Sequence, residues 1–174
     1  YSLYNTISNN TINMTGNSNL TAITIYNYYN GYYGRSPEYN TINGNNINLE
    51  SNLSVTGIYN AMTGNTTISN NTITLSANDS ACGVYNIYSK DFKIFLSTLW
   101  TKDTNIINNT ISANASKVRL IESIMANNTY ISGNTLYSSS TASYGYVAYN
   151  TAGDVLEYND IEVNGSNTDI DFIN

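Results

Sequence analysis

Ile68-Ser69-Asn70-Asn71-Thr72-Ile73 is the phrase that decides the fold, because the chain repeats it with few changes from end to end. It stands earlier as Ile7-Ser8-Asn9-Asn10-Thr11-Ile12 and Ile42-Asn43-Gly44-Asn45-Asn46-Ile47. It returns as Ile106-Ile107-Asn108-Asn109-Thr110-Ile111, Ile131-Ser132-Gly133-Asn134-Thr135-Leu136 and Leu156-Glu157-Tyr158-Asn159-Asp160-Ile161. In all six copies an Asn stands two residues before the last aliphatic. The final aliphatics fall at 12, 47, 73, 111, 136 and 161, so successive spacings are 35, 26, 38, 25 and 25. Self-similarity at such a period marks a repeat architecture. The base unit is therefore about 25 residues, with insertions near 26–39 and 90–103.

Parity gives the shape of the unit. Side chains on a strand share a face only at even separations. The final aliphatic and the residue two later are both apolar in Ile12/Met14, Ile47/Leu49, Ile73/Leu75 and Ile161/Val163, so each pair belongs on one inward-facing strand. The two aliphatics within the phrase are five apart, an odd number, so the chain bends between them where the Asn sits. A third apolar position is expected eleven after the final aliphatic, at Ile58, Val84, Val147 and Phe172, with Ile25 thirteen after. Ile25-Tyr26-Asn27, Gly57-Ile58-Tyr59-Asn60 and Gly83-Val84-Tyr85-Asn86 read as related phrases. Val118, Leu120, Ile121, Ile124 and Met125 fit neither alternation nor a helix, and strand plus turn is expected there.

Short strands with polar bends in a repeated register describe an all-β, single-stranded parallel β-helix of about six coils. Equivalent residues of neighbouring coils lie about 4.8 Å apart, so identical side chains form ladders. An amide both donates and accepts, and an inward Asn can pair with the Asn above and below. Asn10, Asn45, Asn71, Asn109, Asn134 and Asn159 are accordingly expected to form a structural asparagine ladder.

Composition removes several functional classes. The 174 residues include 32 Asn, 21 Thr, 20 Ser and 17 Tyr, and the formal net charge is −6. That acidity argues against a nucleic-acid partner, which needs a basic face. No apolar run approaches a membrane span. With no His and one Cys there is no Ser-His triad, no disulfide, and no zinc or haem ligand set, so no cofactor is expected. Cys82 is read as a small core filler.

The phrases "NTISNNTI" and "GIYN", in an Asn/Thr/Ser/Tyr background nearly free of Pro and Lys, resemble the adhesin-like surface proteins of methanogenic archaea. More broadly they resemble the repeats of right-handed parallel β-helices, the pectate-lyase-like superfamily. The resemblance covers essentially the whole chain. It implies a right-handed coil and an extracellular, cell-surface setting, and it leaves activity open, because that fold carries lyases, hydrolases, tailspikes and adhesins alike.

The insertions are the candidate contact surfaces, since solenoid insertions gather on one, often binding, face. Residues 26–39 hold six Tyr and the only Pro; Tyr28, Tyr29, Tyr32, Tyr33 and Arg35 are the contact candidates, joined by Trp100 from the second insertion. Tyrosine offers rigid amphipathic area suited to sugar rings or protein. Packing of these rings over the coil itself is the competing expectation. Asp160 and Glu162 flank inward Ile161, and could together form a weak calcium site through their oxygens. Of the eleven Asn-x-Ser/Thr sequons, Asn65, Asn78 and Asn114 are the glycosylation candidates.

Both ends of the sequence stop within a coil, so a slice of a longer repeat protein or a polymerising subunit is expected. Three functions follow. The first is a non-catalytic extracellular structural or adhesive β-helix of an archaeal surface protein, presenting its Tyr-rich loops to a cell-surface polysaccharide or protein. The second is a filament subunit that stacks on copies of itself end to end. The third is a fragment of a polysaccharide-degrading β-helix enzyme or tailspike, which requires two or three carboxylates close together on one face.

Overall fold

Each copy of the repeated phrase builds one corner of a coil, and each coil gives one strand to each of three parallel sheets. The computed structural model describes residues 4–26, 39–87, 101, 103–164 and 170–173. The first sheet holds β1 (Thr6–Ser8), β4 (Thr41–Asn43), β7 (Thr67–Ser69), β10 (Asn105–Ile107), β13 (Tyr130–Ser132) and β16 (Val155–Glu157), in that order. The second holds β2 (Thr11–Gly16), β5 (Asn46–Ser51), β8 (Thr72–Ala77), β11 (Thr110–Asn114), β14 (Thr135–Ser138) and β17 (Asp160–Val163). The third holds β3 (Leu20–Tyr26), β6 (Val55–Ala61), β9 (Ser80–Ile87), β12 (Lys117–Ile124), β15 (Ser143–Tyr149) and β18 (Ile170–Ile173). This is the single-stranded parallel β-helix of six coils that the repeat implies.

Register follows the phrase. Ile7 pairs with Ile42, Ile42 with Ile68, Ile68 with Ile106, Ile106 with Ile131 and Ile131 with Leu156. On the second sheet Ile12, Ile47, Ile73, Ile111, Leu136 and Ile161 align in the same way. Ile42, Ile47, Ile68, Ile73, Ile106, Ile111 and Ile131 are fully buried, and their stacked columns form the core. Each contributes about 1.5–3 kcal/mol by leaving water.

The bend between the first and second sheets needs a left-handed residue, and the six copies supply Asn9, Gly44, Asn70, Asn108, Gly133 and Tyr158, with φ between 54° and 67°. Asn and Gly adopt that conformation at little cost. The two halves of Asn-Asn therefore do different work: the first turns the chain, and the second enters the ladder.

The third sheet departs from simple alternation. Its ladder runs Thr56↔Cys82 and resumes at Ile58↔Val84. Inward residues switch parity there, from Val55 and Gly57 to Ile58 and Asn60. The same switch in β12 puts Val118 and Leu120 inside, then Ile121 and Ser123. This resolves the stretch 118–125 as one kinked strand followed by a left-handed turn at Met125, φ 49°. Backbones approach closely at the kink. A Cβ on Gly83 would lie 2.4 Å from the Leu120 carbonyl oxygen and 2.5 Å from Ile111 Cγ2.

The expected third apolar column needs correction. The aligned residues are Ile23, Ile58, Val84, Ile121, Tyr146 and Ile170. The column stands eleven after the final aliphatic in the first three coils, ten after in the fourth and fifth and nine after in the sixth, so eleven after falls one place late at Val147 and two at Phe172. Val147 is buried, but it lies outside the core cluster and pairs with Glu122. Phe172 pairs with Ala148, and Ile25 with Asn60, each in the neighbouring column.

Candidate functional face

Asparagine occupies the corner between the first and second sheets as a continuous ladder. Nδ2 of Asn10 donates to Asn45 Oδ1 at 2.9 Å, and the same bond runs from Asn45 to Asn71, Asn71 to Asn109, Asn109 to Asn134 and Asn134 to Asn159 at 2.9–3.0 Å. Each Oδ1 from Asn45 onward also accepts the backbone N–H of the previous ladder Asn. The second Nδ2 proton of Asn71 goes to the Ile42 carbonyl at 3.0 Å, and Asn109 and Asn134 repeat this on Ile68 and Ile106. Every interior amide is satisfied on both sides, as buried polar groups require.

A second polar network, which the sequence reading did not identify, fills the corner between the third and first sheets. Asn5, Asn40, Thr66, Thr104, Thr129 and Asp154 each stand just before a first-sheet strand. Asn5 Nδ2 donates to Asn40 Oδ1 at 2.8 Å, and Thr66 links through Thr63 to Asn60, whose Nδ2 donates to Asn86 Oδ1 at 2.8 Å. At the far end Asp154 accepts the Thr129 N–H at 3.0 Å and the hydroxyl of buried Tyr146 at 2.7 Å. Burial and that carboxylate push the Tyr146 phenol far above its ordinary range. The signal was the closing Asn of the Gly-Ile-Tyr-Asn and Gly-Val-Tyr-Asn phrases, Asn60 and Asn86.

Outward, the three sheets differ. The first and second present mainly Thr, Ser and Asn in their inner coils, as in Thr41, Asn43, Thr67 and Ser69, or Thr72, Thr74 and Ser76, with Glu50, Ile107, Tyr130 and Tyr137 among them. On the outward side of the third sheet runs one row of Thr56, Cys82, Arg119 and Tyr144, and another of Tyr59, Tyr85 and the buried Glu122 and Val147. Tyr59 and Tyr85 meet edge to face, with centroids 5.5 Å apart and planes at 68°. Arg119 Nε lies 3.4 Å from Glu122 Oε1, and Glu122 is 8% exposed. Burial raises the Glu122 carboxyl above its usual 4.5, with Arg119 pulling it back. Burial, and then the Glu122 charge, push the Tyr85 phenol up to about 12. Burial likewise raises the Cys82 thiol, with Glu122 adding to it, so the reactive thiolate is suppressed. Cys82 is half-buried on this outer face and is no core filler.

The structure disperses the carboxylates of the last coil. Asp160 and Glu162 are exposed on β17 beside Thr135 and Tyr137, as their parity required. Glu157 leaves from the first sheet, where it accepts the Tyr130 hydroxyl, and Asp154 sits in the corner. Among the described residues no group of three or more His, Cys, Asp or Glu is placed to hold a metal ion. Asn78 and Asn114 are exposed near the corner between the second and third sheets, whereas Asn65 is half-buried in a left-handed turn.

Tyr28, Tyr29, Tyr32, Tyr33, Arg35 and Trp100 lie outside the described residues. Their flanks are defined. The segments that carry them follow β3 and β9, both third-sheet strands, so both open from the same corner. Tyr39 stacks on Tyr4 at 5.3 Å. Thr101 donates to the Ile87 carbonyl at 2.7 Å and accepts the Met62 N–H at 2.9 Å.

Fold and face together define a parallel β-helix whose third sheet carries an aromatic, charged flank. No family model, curated protein or solved structure matches the chain.

Proposed function

We propose that the chain is a non-catalytic structural β-helix of an archaeal cell-surface protein, acting outside the cell. In this reading the coil is a stiff spacer, and its third sheet, with the tyrosine-rich segment leaving from it, contacts a polysaccharide or another surface. The observation that carries this is the outer face of the third sheet, where Tyr59, Tyr85, the Arg119–Glu122 pair and Tyr144 follow one another over four successive coils, while the other two faces are mainly Thr, Ser and Asn with single aromatic and acidic residues. Aromatic rings beside hydrogen-bonding groups suit extended sugar surfaces. The test is retention of the purified protein on insoluble cell-wall polysaccharide and on intact archaeal cells. The reading expects retention that falls at least tenfold in Tyr59→Ser/Tyr85→Ser with the fold unchanged by circular dichroism. Equal retention of the variant would refute it.

A second reading, stacking with copies of itself, is favoured by the polarity of the ladder. Among the described residues, Asn10 Oδ1 accepts nothing, while Asn159 donates Nδ2 only to the Ile131 carbonyl at 2.9 Å. The acceptor at one end matches the donors at the other, in the sense that every interior step uses. Electron microscopy of the concentrated protein tests it: filaments support stacking, and single particles at all concentrations refute it.

A further inference from the structure

We propose that the groove of about 220 Å³ lined by Lys117, Val118, Arg119, Ala142 and Tyr144 binds an oxyanion, a carboxylate, sulfate or phosphate group carried by a ligand. The proposal rests on the third sheet being the contact face and names what part of that face recognises. Of the six basic residues, only Lys117 and Arg119 lie among the described residues. They stand two apart on β12 with inward Val118 between them, so both project outward into the same groove. Tyr144 is in register with Arg119 on the next coil.

The donors there are unused. Arg119 touches Glu122 through Nε alone, and that buried Nε makes no hydrogen bond. The guanidinium Nη atoms, the Lys117 ammonium and the Tyr144 hydroxyl have no partner among the described residues. Glu122 sits beside Arg119, and the Lys117 N–H meets the Asp79 carbonyl at 3.0 Å, so what the groove offers is its unused guanidinium, ammonium and phenol donors and not an excess of positive charge. A guanidinium fork matches the paired oxygens of carboxylate, sulfate or phosphate, and an adjacent ammonium adds a point charge. Glu122, Cys82 and Tyr85 are titratable neighbours on the same sheet, and Asp79 stands just before β9 beside Lys117; Glu122 offsets part of the Arg119 charge, and Cys82 is held as the neutral thiol. The volume is below the roughly 300 Å³ at which pockets begin to enclose a drug-sized molecule, so the groove takes one charged group and leaves the rest of its bearer outside.

The test is amide chemical-shift titration of the labelled protein with sodium sulfate, and separately with sodium acetate and sodium phosphate, at ionic strength fixed with chloride. Saturable shifts confined to residues near 117–119 and 142–144, weakened at least tenfold in Lys117→Gln/Arg119→Gln, are expected. Which of the three anions saturates first identifies the group. Shifts that spread over the surface, fail to saturate, or persist in the double variant would overturn the site. Polysaccharide retention lost in Tyr59→Ser/Tyr85→Ser without any such anion site would overturn this inference and leave the contact face standing. A saturable anion site without retention would do the reverse.

Discussion

Asn71→Leu isolates the ladder from the rest of the fold, because leucine has the branching and heavy-atom count of the asparagine side chain and none of its hydrogen bonds. Asn71 Oδ1 accepts the backbone N–H and Nδ2 of Asn45, both at 2.9 Å, and its Nδ2 reaches the Ile42 carbonyl and Asn109 Oδ1, both at 3.0 Å. The substitution leaves two buried groups without that partner, the Asn45 N–H and one Asn45 amide proton; the Ile42 carbonyl loses one of two bonds and keeps its place in the first-sheet ladder with β7. Asn109 Oδ1 keeps the Asn71 backbone N–H. With Asn45 and Asn71 each 1% exposed and Ile42 at 0%, no water replaces the lost partners. Each orphan costs about 1–3 kcal/mol, together about 2–6. Burying the leucine returns about 1.5–3 kcal/mol. The net loss is about 1–3 kcal/mol, a sizeable part of the roughly 5–15 that a domain possesses. Asn10→Leu is the control. Asn10 is exposed and accepts nothing, and Asn45 Oδ1 keeps the Asn10 backbone N–H at 3.0 Å, so less than about 1 kcal/mol is lost. Urea unfolding followed by circular dichroism reads both variants. Equal midpoints for Asn71→Leu and Asn10→Leu would refute the ladder as a source of stability.

Three further outcomes follow from the same geometry. Gly83→Ala presses a methyl against the Leu120 carbonyl, which cannot retreat without breaking the third sheet, so a loss of about 1–3 kcal/mol is expected in the same denaturant assay; wild-type stability would contradict the close approach. Tyr146→Phe removes the 2.7 Å bond to Asp154, a hydrogen bond to a charged group worth about 1.5–3 kcal/mol, and should lower the melting temperature. Glu122→Gln should stabilise at neutral pH. Its carboxyl is raised in the folded state, so the folded protein holds the proton more tightly and wild-type stability falls as pH climbs from the ordinary 4.5 through the raised value. The variant should lack that fall, and parallel pH–stability curves would show that the carboxyl is not perturbed.

The coil was legible because every inward position is under the same constraint six times over. A residue stacked between two copies of itself must match their size and polarity, so the Ile columns and Asn10 through Asn159 write the register directly into the sequence. Legibility failed where the constraint changes along the stack. The corner before β12 loses a residue, which carried Val147 off the core, and the kink at Gly57, Gly83 and Leu120 reverses parity within one strand. No pattern of period two reports a bend of that kind. The corner network was hidden for a related reason: Asn40, Thr66 and Asp154 are chemically interchangeable as hydrogen-bond partners but share no letter.

The contact face was hidden most deeply. Outward positions answer only to solvent and ligand, so Cys82, Arg119 and Tyr144 follow one another in register without resembling one another. Stacking gives no reason for such a row. On the first two sheets solvent gives mainly Thr, Ser and Asn in the inner coils; on the third, Glu122 is desolvated and Arg119 is held beside it by the same ladder that stacks the core. A desolvated carboxyl and an incompletely used guanidinium both cost stability in a fold whose interior leaves almost nothing unpaired. A sheet whose outer face departs from its neighbours at that cost is where a partner would recover it, and this points to the third sheet, ahead of the acidic last coil, as the face to test for binding.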